Sequence, residues 1–251
     1  MADIRLNIFT NIVHRDLRKI PVFETINSID KTFSIKNFSS VSIYIHPYPV
    51  TEKTDEYKLA LTTFMSKWGV VPDISLTESL WDGYVRSIRD TTEPHALQME
   101  HDWHFYRQRI THSATEIVEA MRKNSLPYLR FNKRENGIVT GMITHVQEYS
   151  RDGFSYCKDN VMSNNPHFID ISYYRDIVLP VLLKSKGEGS LGIERELTSE
   201  LANGASYGPM GHPKTITHLN GKKIFQKSQM STFDKINYFI SRLKRDTLKI
   251  K

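Results

Sequence analysis

Two short apolar segments and one amphipathic segment alternate at the start of this sequence. Ile4–Thr10 and Val41–Ile45 are rich in the β-branched and aromatic residues that favour strands. Between them, Ile20–Phe33 carries apolar residues three or four positions apart, which is the period of a helix buried on one face. Strand, helix and strand in this order suit a right-handed parallel crossover. The sequence therefore predicts an α/β fold that opens with parallel strands.

The same pattern continues over the next eighty residues. Further helices are predicted over 52–68 and 76–89, and a short apolar run at Ala96–Met99 follows them. Ser113 with Glu116 three residues later forms the signature of a helix-capping box. We expect one compact α/β domain with an irregular C-terminal half.

Composition excludes several classes of protein. The chain has 251 residues, of which 39% are hydrophobic and 25% charged, so it is neither disordered nor fibrous. Its one cysteine, Cys157, excludes an internal disulfide and fits a reducing, cytoplasmic location. No apolar run approaches the length of about 18 residues that a membrane-spanning helix needs.

The positive charge of the chain is concentrated near its C-terminus. Lys and Arg total 34 against 28 Asp and Glu, a formal net charge of +6. Residues 1–212 have a net charge of −2, however, and residues 213–251 have a net charge of +8. Apolar residues at helical spacing in that tail predict a terminal basic helix. Its outward-facing cations are Lys235, Arg242, Lys244 and Arg245. They suit either a phosphate-bearing partner or a solvated helix surface.

Three short motifs contain residues that could carry chemistry. Glu100-His101-Asp102 follows the apolar run at Ala96–Met99, and ligand sites in open α/β sheets lie at the carboxyl ends of strands. Glu194 and Glu196 lie in the segment GIERE, at a predicted helix start, where a carboxylate could act as a general base. His218, in ITHLNG, is a candidate metal ligand or a hydrogen-bonded surface histidine.

These motifs, in this order, resemble those of the GT-A nucleotide-sugar glycosyltransferases. In that family a strand ends in an Asp-x-Asp motif, for which this chain has Glu100-His101-Asp102. An acidic motif at a later helix start supplies the base in inverting members, and Glu194 or Glu196 occupies the matching place. A C-terminal histidine often completes the metal site, which makes His218 the candidate here. Glu100 replaces the first aspartate of the family motif.

The resemblance implies a metal-dependent reaction with a nucleotide-sugar donor such as a UDP-sugar. Asp102, helped by His218, would hold Mn²⁺ or Mg²⁺, and this cation would neutralise the departing nucleotide diphosphate. Glu194 or Glu196 would take the proton of the acceptor hydroxyl. The residues expected to bind the nucleotide are Thr10, Asn11, His46, Arg86 and Glu100.

The resemblance implies that the whole chain, residues 1–251, forms one GT-A-like, Rossmann-like domain, with a mixed sheet flanked by helices. Residues 1–102 would bind the nucleotide, residues 103–221 would hold the acceptor and metal, and residues 222–251 would form the basic helix.

Two acceptors fit such an enzyme. One is a hydroxymethylated cytosine in bacteriophage DNA, reached by flipping the base out of the duplex. The other is a cell-surface or lipid-linked glycan, with the basic helix in peripheral contact with a membrane. Two further functions come from different classes: a non-catalytic nucleic-acid-binding protein and a metal-dependent hydrolase. The hydrolase would use His101, Asp102, His104 and His112.

Overall fold

A computed structural model describes residues 3–137, 143, 146–184, 201 and 204–219. The strands are β1 (Ile4–Asn11), β2 (Ser40–His46), β3 (Asp73–Leu76), β4 (His95–Glu100), β5 (Trp103–Phe105), β6 (Tyr128–Arg130), β7 (Val146–Arg151), β8 (Phe154–Asp159), β9 (His167–Asp170), β10 (Gly204–Tyr207) and β11 (Ile216–His218). The α-helices are α1 (Val22–Phe33), α2 (Thr54–Met65), α3 (Leu80–Asp90), α4 (Ala114–Lys123), α5 (Ile171–Tyr173) and α6 (Leu179–Lys184), with a π-helical segment, Tyr174–Val178, between the last two.

The described strands form one large mixed sheet and one small antiparallel sheet. The large sheet has the order β3-β2-β1-β4-β9-β6-β10-β8-β7, and β5 pairs with β11 in the small one. Strands β3, β2, β1 and β4 are mutually parallel, whereas β9 is antiparallel to both of its neighbours, β4 and β6. Because β9 reverses direction between them, β6 runs the same way as β4. The carboxyl ends of β1, β2, β4 and β6 therefore lie at one edge of the sheet.

Strand β1 is buried on both faces and lies between two layers of helices. Ile4, Leu6 and Ile8 pack into one apolar cluster with side chains of α1, α2 and α4. Phe9 points the other way and packs with Tyr44 and side chains of α3 and α6, as the two-residue period of a strand requires. The predicted mixed sheet flanked by helices is confirmed.

The region around Leu76 differs from the sequence prediction. A helix is predicted from Leu76, but Leu76 ends β3, whose Ile74 pairs with Ile43 in parallel register. Helix α3 starts at Leu80, because Ser79 is extended and its side chain accepts a hydrogen bond from the backbone N–H of Asp82. Such a cap fixes the start of a helix more sharply than periodicity does.

The second half of the described chain confirms two local predictions. Ser113 and Glu116 form the predicted capping box at the start of α4. Cys157 is buried in β8, and burial raises the pKa of its thiol to about 11, which suits a structural thiol rather than a reactive one.

Two predicted features of the C-terminal region fall outside the described residues. They are the helix start at GIERE and the terminal basic helix of residues 222–251. No helix among the described residues is long and apolar enough to cross a bilayer.

Candidate active site

A cavity of about 510 Å³ opens at the carboxyl ends of β1, β2 and β4. Its lining includes six residues that the sequence analysis assigns to nucleotide or metal: Thr10, Asn11, His46, Glu100, Asp102 and His218. Strand pairing explains why they meet. Asn11 lies opposite His46 in the β1–β2 register, and Phe9 lies opposite Glu100 in the β1–β4 register. Three strands that end together place the residues that follow them around one opening.

Asp102 lies in a turn that three elements hold in place. The backbone N–H of His101 donates to the carbonyl of Phe9 in β1 (2.9 Å). The hydroxyl of Thr25, in α1, lies 2.5 Å from the carbonyl oxygen of His101 and 2.8 Å from that of Trp103. The backbone N–H of Leu219 donates to the carbonyl of Asp102 itself (2.6 Å). All three consecutive carbonyls, 101 to 103, are therefore hydrogen-bonded.

The small sheet brings His218 to Asp102. His218 pairs with Trp103 in the antiparallel register of β5 and β11, and the two rings meet edge to face with centroids 4.9 Å apart. His218 Nε2 then lies 3.0 Å from Asp102 Oδ2, with the Asp102 side chain 4% exposed and that of His218 37% exposed. The result is a buried carboxylate next to an accessible imidazole on the wall of the cavity.

The predicted nucleotide-binding residues differ in what their side chains contact. The hydroxyl of Thr10 is 2.7 Å from that of the fully buried Tyr57, so this hydroxyl bonds within the protein. His46 Nδ1 lies 3.4 Å from the carbonyl oxygen of Thr77, another residue of the cavity. The side-chain oxygen of Asn11 is buried and has no hydrogen-bond partner among the described residues.

Arg86 lies outside the cavity lining. Its Nε donates to Asp82 Oδ1 on the same helix (3.0 Å), and its Nη1 donates to the carbonyl of Leu76 (3.2 Å). The one-turn spacing of Arg86 and Asp82 on α3 accounts for this pairing. The structure therefore does not bring Arg86 together with the other predicted nucleotide-binding residues.

The four residues proposed for a hydrolase point to different places. His104 Nδ1 lies 3.5 Å from Glu24 Oε1, and His112 Nδ1 lies 2.8 Å from the hydroxyl of Tyr207. His101 and Asp102 line the cavity instead. Among the described residues, no three His, Cys, Asp or Glu side chains converge as a metal cluster. The geometry does not support a hydrolase metal centre built on these residues.

The cavity also contains polar residues that the sequence analysis did not single out. Lys133 follows β6, with its Nζ 5.9 Å from the centre of the Trp103 ring, and Asn164 and Asn165 precede β9. A signal for Lys133 was available, because the apolar and aromatic segment Tyr128–Phe131 is typical of a strand and Lys133 follows its end. The asparagines gave no such signal, since they precede a strand whose antiparallel direction only the structure reveals.

Several predicted functional residues lie outside the described part of the chain. The candidate bases Glu194 and Glu196 are among them, as are the four cations of the tail: Lys235, Arg242, Lys244 and Arg245.

Solved structures similar to this chain share its fold at low sequence identity. S. aureus TarS 1–349 in complex with UDP matches with a TM-score of 0.52 and 12% identity, covering 85% of this chain and 59% of that chain. Another structure of TarS 1–349 matches at 0.51 and 8%, covering 88% and 62%. GalNAc-T7 with UDP, GalNAc and Mn²⁺ matches at 0.53 and 9%, covering 86% and 44%.

This chain is similar to known proteins in its fold and not in its sequence. No protein-family model and no curated protein matches this sequence. The chain spans about 60% of the TarS chains to which it is similar. At these identities the similarity is one of fold, and it shows that this chain has a GT-A-like α/β fold.

Proposed function

We propose that this protein is a metal-dependent glycosyltransferase that moves a sugar from a nucleotide-sugar donor to an acceptor hydroxyl. One observation carries the proposal: Asp102 and His218 meet at 3.0 Å on the wall of a cavity at the carboxyl ends of parallel strands. The GT-A-like fold supports it, as do the structures of TarS with UDP and of GalNAc-T7 with UDP and Mn²⁺.

Two of the residues present suit a divalent cation, although the described residues hold no cluster of three such ligands. Asp102 offers a carboxylate oxygen and His218 an imidazole nitrogen, a donor set suited to first-row divalent metals such as Mn²⁺. A bound cation would take the place of the present contact between Nε2 and Oδ2. When bound, the metal would neutralise charge on the nucleotide diphosphate.

Lys133 is placed to help the same leaving group. It is an exposed cation that lines the cavity, and its Nζ lies above Trp103, the ring that also contacts His218. A positive charge beside the diphosphate stabilises the negative charge that develops as the bond between sugar and phosphate breaks. We assign Lys133 this role, which the sequence analysis did not foresee.

In the proposed reaction, the acceptor oxygen forms a bond to the anomeric carbon while the bond from that carbon to the diphosphate oxygen breaks. The proton of the acceptor hydroxyl goes to a general base, for which Glu194 and Glu196 remain the sequence-based candidates. Inversion at the sugar and hydroxymethylated cytosine as acceptor also stay predictions. The evidence for that acceptor is the basic tail, which lies outside the described residues.

A thermal-shift screen tests the proposal directly. The full chain is heated with UDP, GDP, CDP and their sugar conjugates, each with and without MnCl₂. A ligand that binds only the folded state at a hundred times its Kd adds about 2.7 kcal/mol to the free energy of unfolding. We expect at least one nucleotide to raise Tm, and to do so more strongly with Mn²⁺.

Two variants make the screen specific. Asp102→Asn removes the buried carboxylate charge and should abolish the Mn²⁺-dependent part of the shift. Asp55→Asn neutralises a carboxylate that is 99% exposed on α2 and should leave the shift unchanged. If no nucleotide raises Tm under any condition, or if Asp102→Asn retains the full Mn²⁺ effect, the proposal is wrong.

A further inference from the structure

A basic surface adjoins the cavity and is formed by three segments of the described chain: 106–109, 132–136 and 211–215. These segments contain five Lys and Arg residues and one acidic residue, Glu135. The cations are Arg107, Arg109, Lys133, Arg134 and Lys214. The surface therefore has a formal charge of +4, whereas residues 1–212 as a whole have a net charge of −2.

Backbone and side-chain hydrogen bonds hold the three segments together. The N–H of Tyr106 donates to the carbonyl of Thr215 (2.8 Å). The N–H of Thr215 donates in turn to the carbonyl of Asn132 (2.8 Å). The N–H of Asn136 donates to the carbonyl of His212 (3.0 Å). The cations are thus arranged on one connected, hydrogen-bonded scaffold.

Two of the cations lie over one aromatic side chain. The guanidinium carbon of Arg109 is 4.8 Å from the centre of the Tyr106 ring, and Lys214 Nζ is 5.3 Å from it. Arg109 Nη1 also donates to the carbonyl of Lys214 (2.8 Å). The ring attracts each cation, but the two positive charges repel each other, and a bound anion would relieve that repulsion.

Carboxylates of the protein do not compensate most of this charge. None of the ion pairs among the described residues involves Arg107, Arg109, Lys133 or Lys214. Arg107, Lys133 and Lys214 are also exposed. These cations can therefore reach an external anion.

The surface leads into the cavity. Lys133 belongs to both, and Lys214 precedes His218 by four residues, at most about 13 Å even if that chain were fully extended. Phosphates of a nucleic-acid strand in a duplex follow one another about every 3.4 Å along the axis. A strand on this surface would therefore place no more than about four phosphates between Lys214 and the Asp102–His218 pair.

We propose that this surface binds the phosphate backbone of a nucleic-acid strand that carries the acceptor hydroxyl. This inference rests on the proposed function for the meaning of the cavity. Arginine suits phosphate because its planar fork can donate two hydrogen bonds, and cations interleaved with aromatic rings are typical of surfaces that bind nucleic-acid strands. All five cations of the surface precede residue 222, where the predicted basic helix begins.

The test compares two charge-matched variants of the full chain. Arg107→Gln with Lys214→Gln removes two cations from the surface. Lys31→Gln with Lys36→Gln removes two exposed cations from α1 and the turn after it. Binding of a fluorescein-labelled single-stranded DNA oligonucleotide is followed by anisotropy at several salt concentrations. Each phosphate contact contributes about 0.7 to the slope of log K against log salt, so the first variant should lower that slope by about 1.4.

The outcomes separate this inference from the proposed function. The surface variant should keep the nucleotide-dependent and Mn²⁺-dependent rise in Tm, because the donor cavity is intact. The Tm of the surface variant without ligand shows whether the variant folds. If it does not fold, Lys214→Gln alone takes its place, and this single variant should lower the slope by about 0.7. An unchanged slope, or an equal loss in the control variant, would overturn the inference.

Two further probes test the class of partner. Vesicles of phosphatidylcholine with phosphatidylglycerol and inorganic polyphosphate of matched charge are used alongside the oligonucleotide. If the surface variant loses vesicle binding but binds DNA as the wild type does, the surface binds a membrane instead of nucleic acid. Polyphosphate binding as tightly as DNA would show a general anion surface and overturn the assignment to nucleic acid.

Discussion

His218 Nε2 lies 3.0 Å from Asp102 Oδ2, although 115 residues separate the two in the sequence. The antiparallel pairing of β5 with β11 places His218 beside Trp103, and Asp102 is the preceding residue. This short distance is the geometric basis of the proposed metal site. It leads to a prediction about metal affinity that does not depend on knowing the substrate.

We expect His218→Ala to weaken Mn²⁺ binding about tenfold or more, as loss of a ligand or its support does. Mn²⁺ titrations followed by electron paramagnetic resonance measure this loss. His104→Gln, which changes a histidine beside Glu24, is the matched control. Unaltered Mn²⁺ affinity in His218→Ala would exclude this residue from the site.

Thr25 is expected to position Asp102. Its hydroxyl approaches the carbonyl oxygens of both neighbours of Asp102, and the residue is fully buried. Thr25→Val keeps the shape but leaves buried carbonyls without that donor, so the free energy of unfolding should fall by about 1–3 kcal/mol. Mn²⁺ affinity should fall as well, because the turn that presents the carboxylate loosens.

Two variants separate positioning by Thr25 from a general loss of stability. Thr25→Ser restores the hydroxyl and should recover Mn²⁺ affinity. Thr32→Val removes a hydroxyl from the same helix, where it bonds to the carbonyl of Ser28 (2.8 Å), and should leave Mn²⁺ affinity unchanged. If Thr25→Val and Thr32→Val lower affinity equally, Thr25 has no specific role.

Buried His167 should make stability fall in mild acid. Its Nδ1 lies 2.6 Å from the carbonyl oxygen of Asn165, and burial lowers the pKa of the imidazole to about 4. The unfolded chain, with a histidine pKa near 6.5, therefore binds one more proton than the folded chain between pH 6.5 and 4. Stability from this group is complete above pH 6.5 and is lost as pH falls toward 4, by about 1.4 kcal/mol per pH unit at most.

Urea denaturation from pH 7 to 4.5 measures this dependence. His167→Gln should reduce the slope of unfolding free energy against pH by the equivalent of about one bound proton. This change in slope does not depend on how the substitution alters absolute stability. A slope identical to that of the wild type would show that His167 does not titrate in this way.

The ion pair between Arg130 and Asp159 should be important for stability. Arg130 Nη1 lies 3.1 Å from Asp159 Oδ1, and the two side chains are 3% and 2% exposed. Removing one partner of such a pair leaves a buried charge uncompensated, which costs about 3–5 kcal/mol. We expect Arg130→Met and Asp159→Asn each to lower the urea midpoint strongly. The double variant should lose less than the sum of the two, and full additivity would mean that the charges do not interact.

Local signals in the sequence predict several residues of the cavity lining. Thr10, Asn11, His46 and Glu100 follow or end apolar strands that are recognisable without a structure, and all four line the cavity. Arg86 shows where such reasoning fails. Its position on a helix is predicted, but the nearby carboxylate of Asp82 determines what its side chain contacts.

Patterns among neighbouring residues are enough to predict that β1 and β2 are strands, that a capping box starts α4 and that Asp102 follows a strand. Each of these features depends on residues close together in the chain. The tertiary structure is needed to place His218 beside Asp102, to bring Lys133 to the cavity and to join the segments 106–109, 132–136 and 211–215 in one basic surface. These contacts depend on strand direction and pairing between remote segments. Hydrophobic periodicity does not encode that pairing, because it reports which face of an element is buried and not which partner covers it.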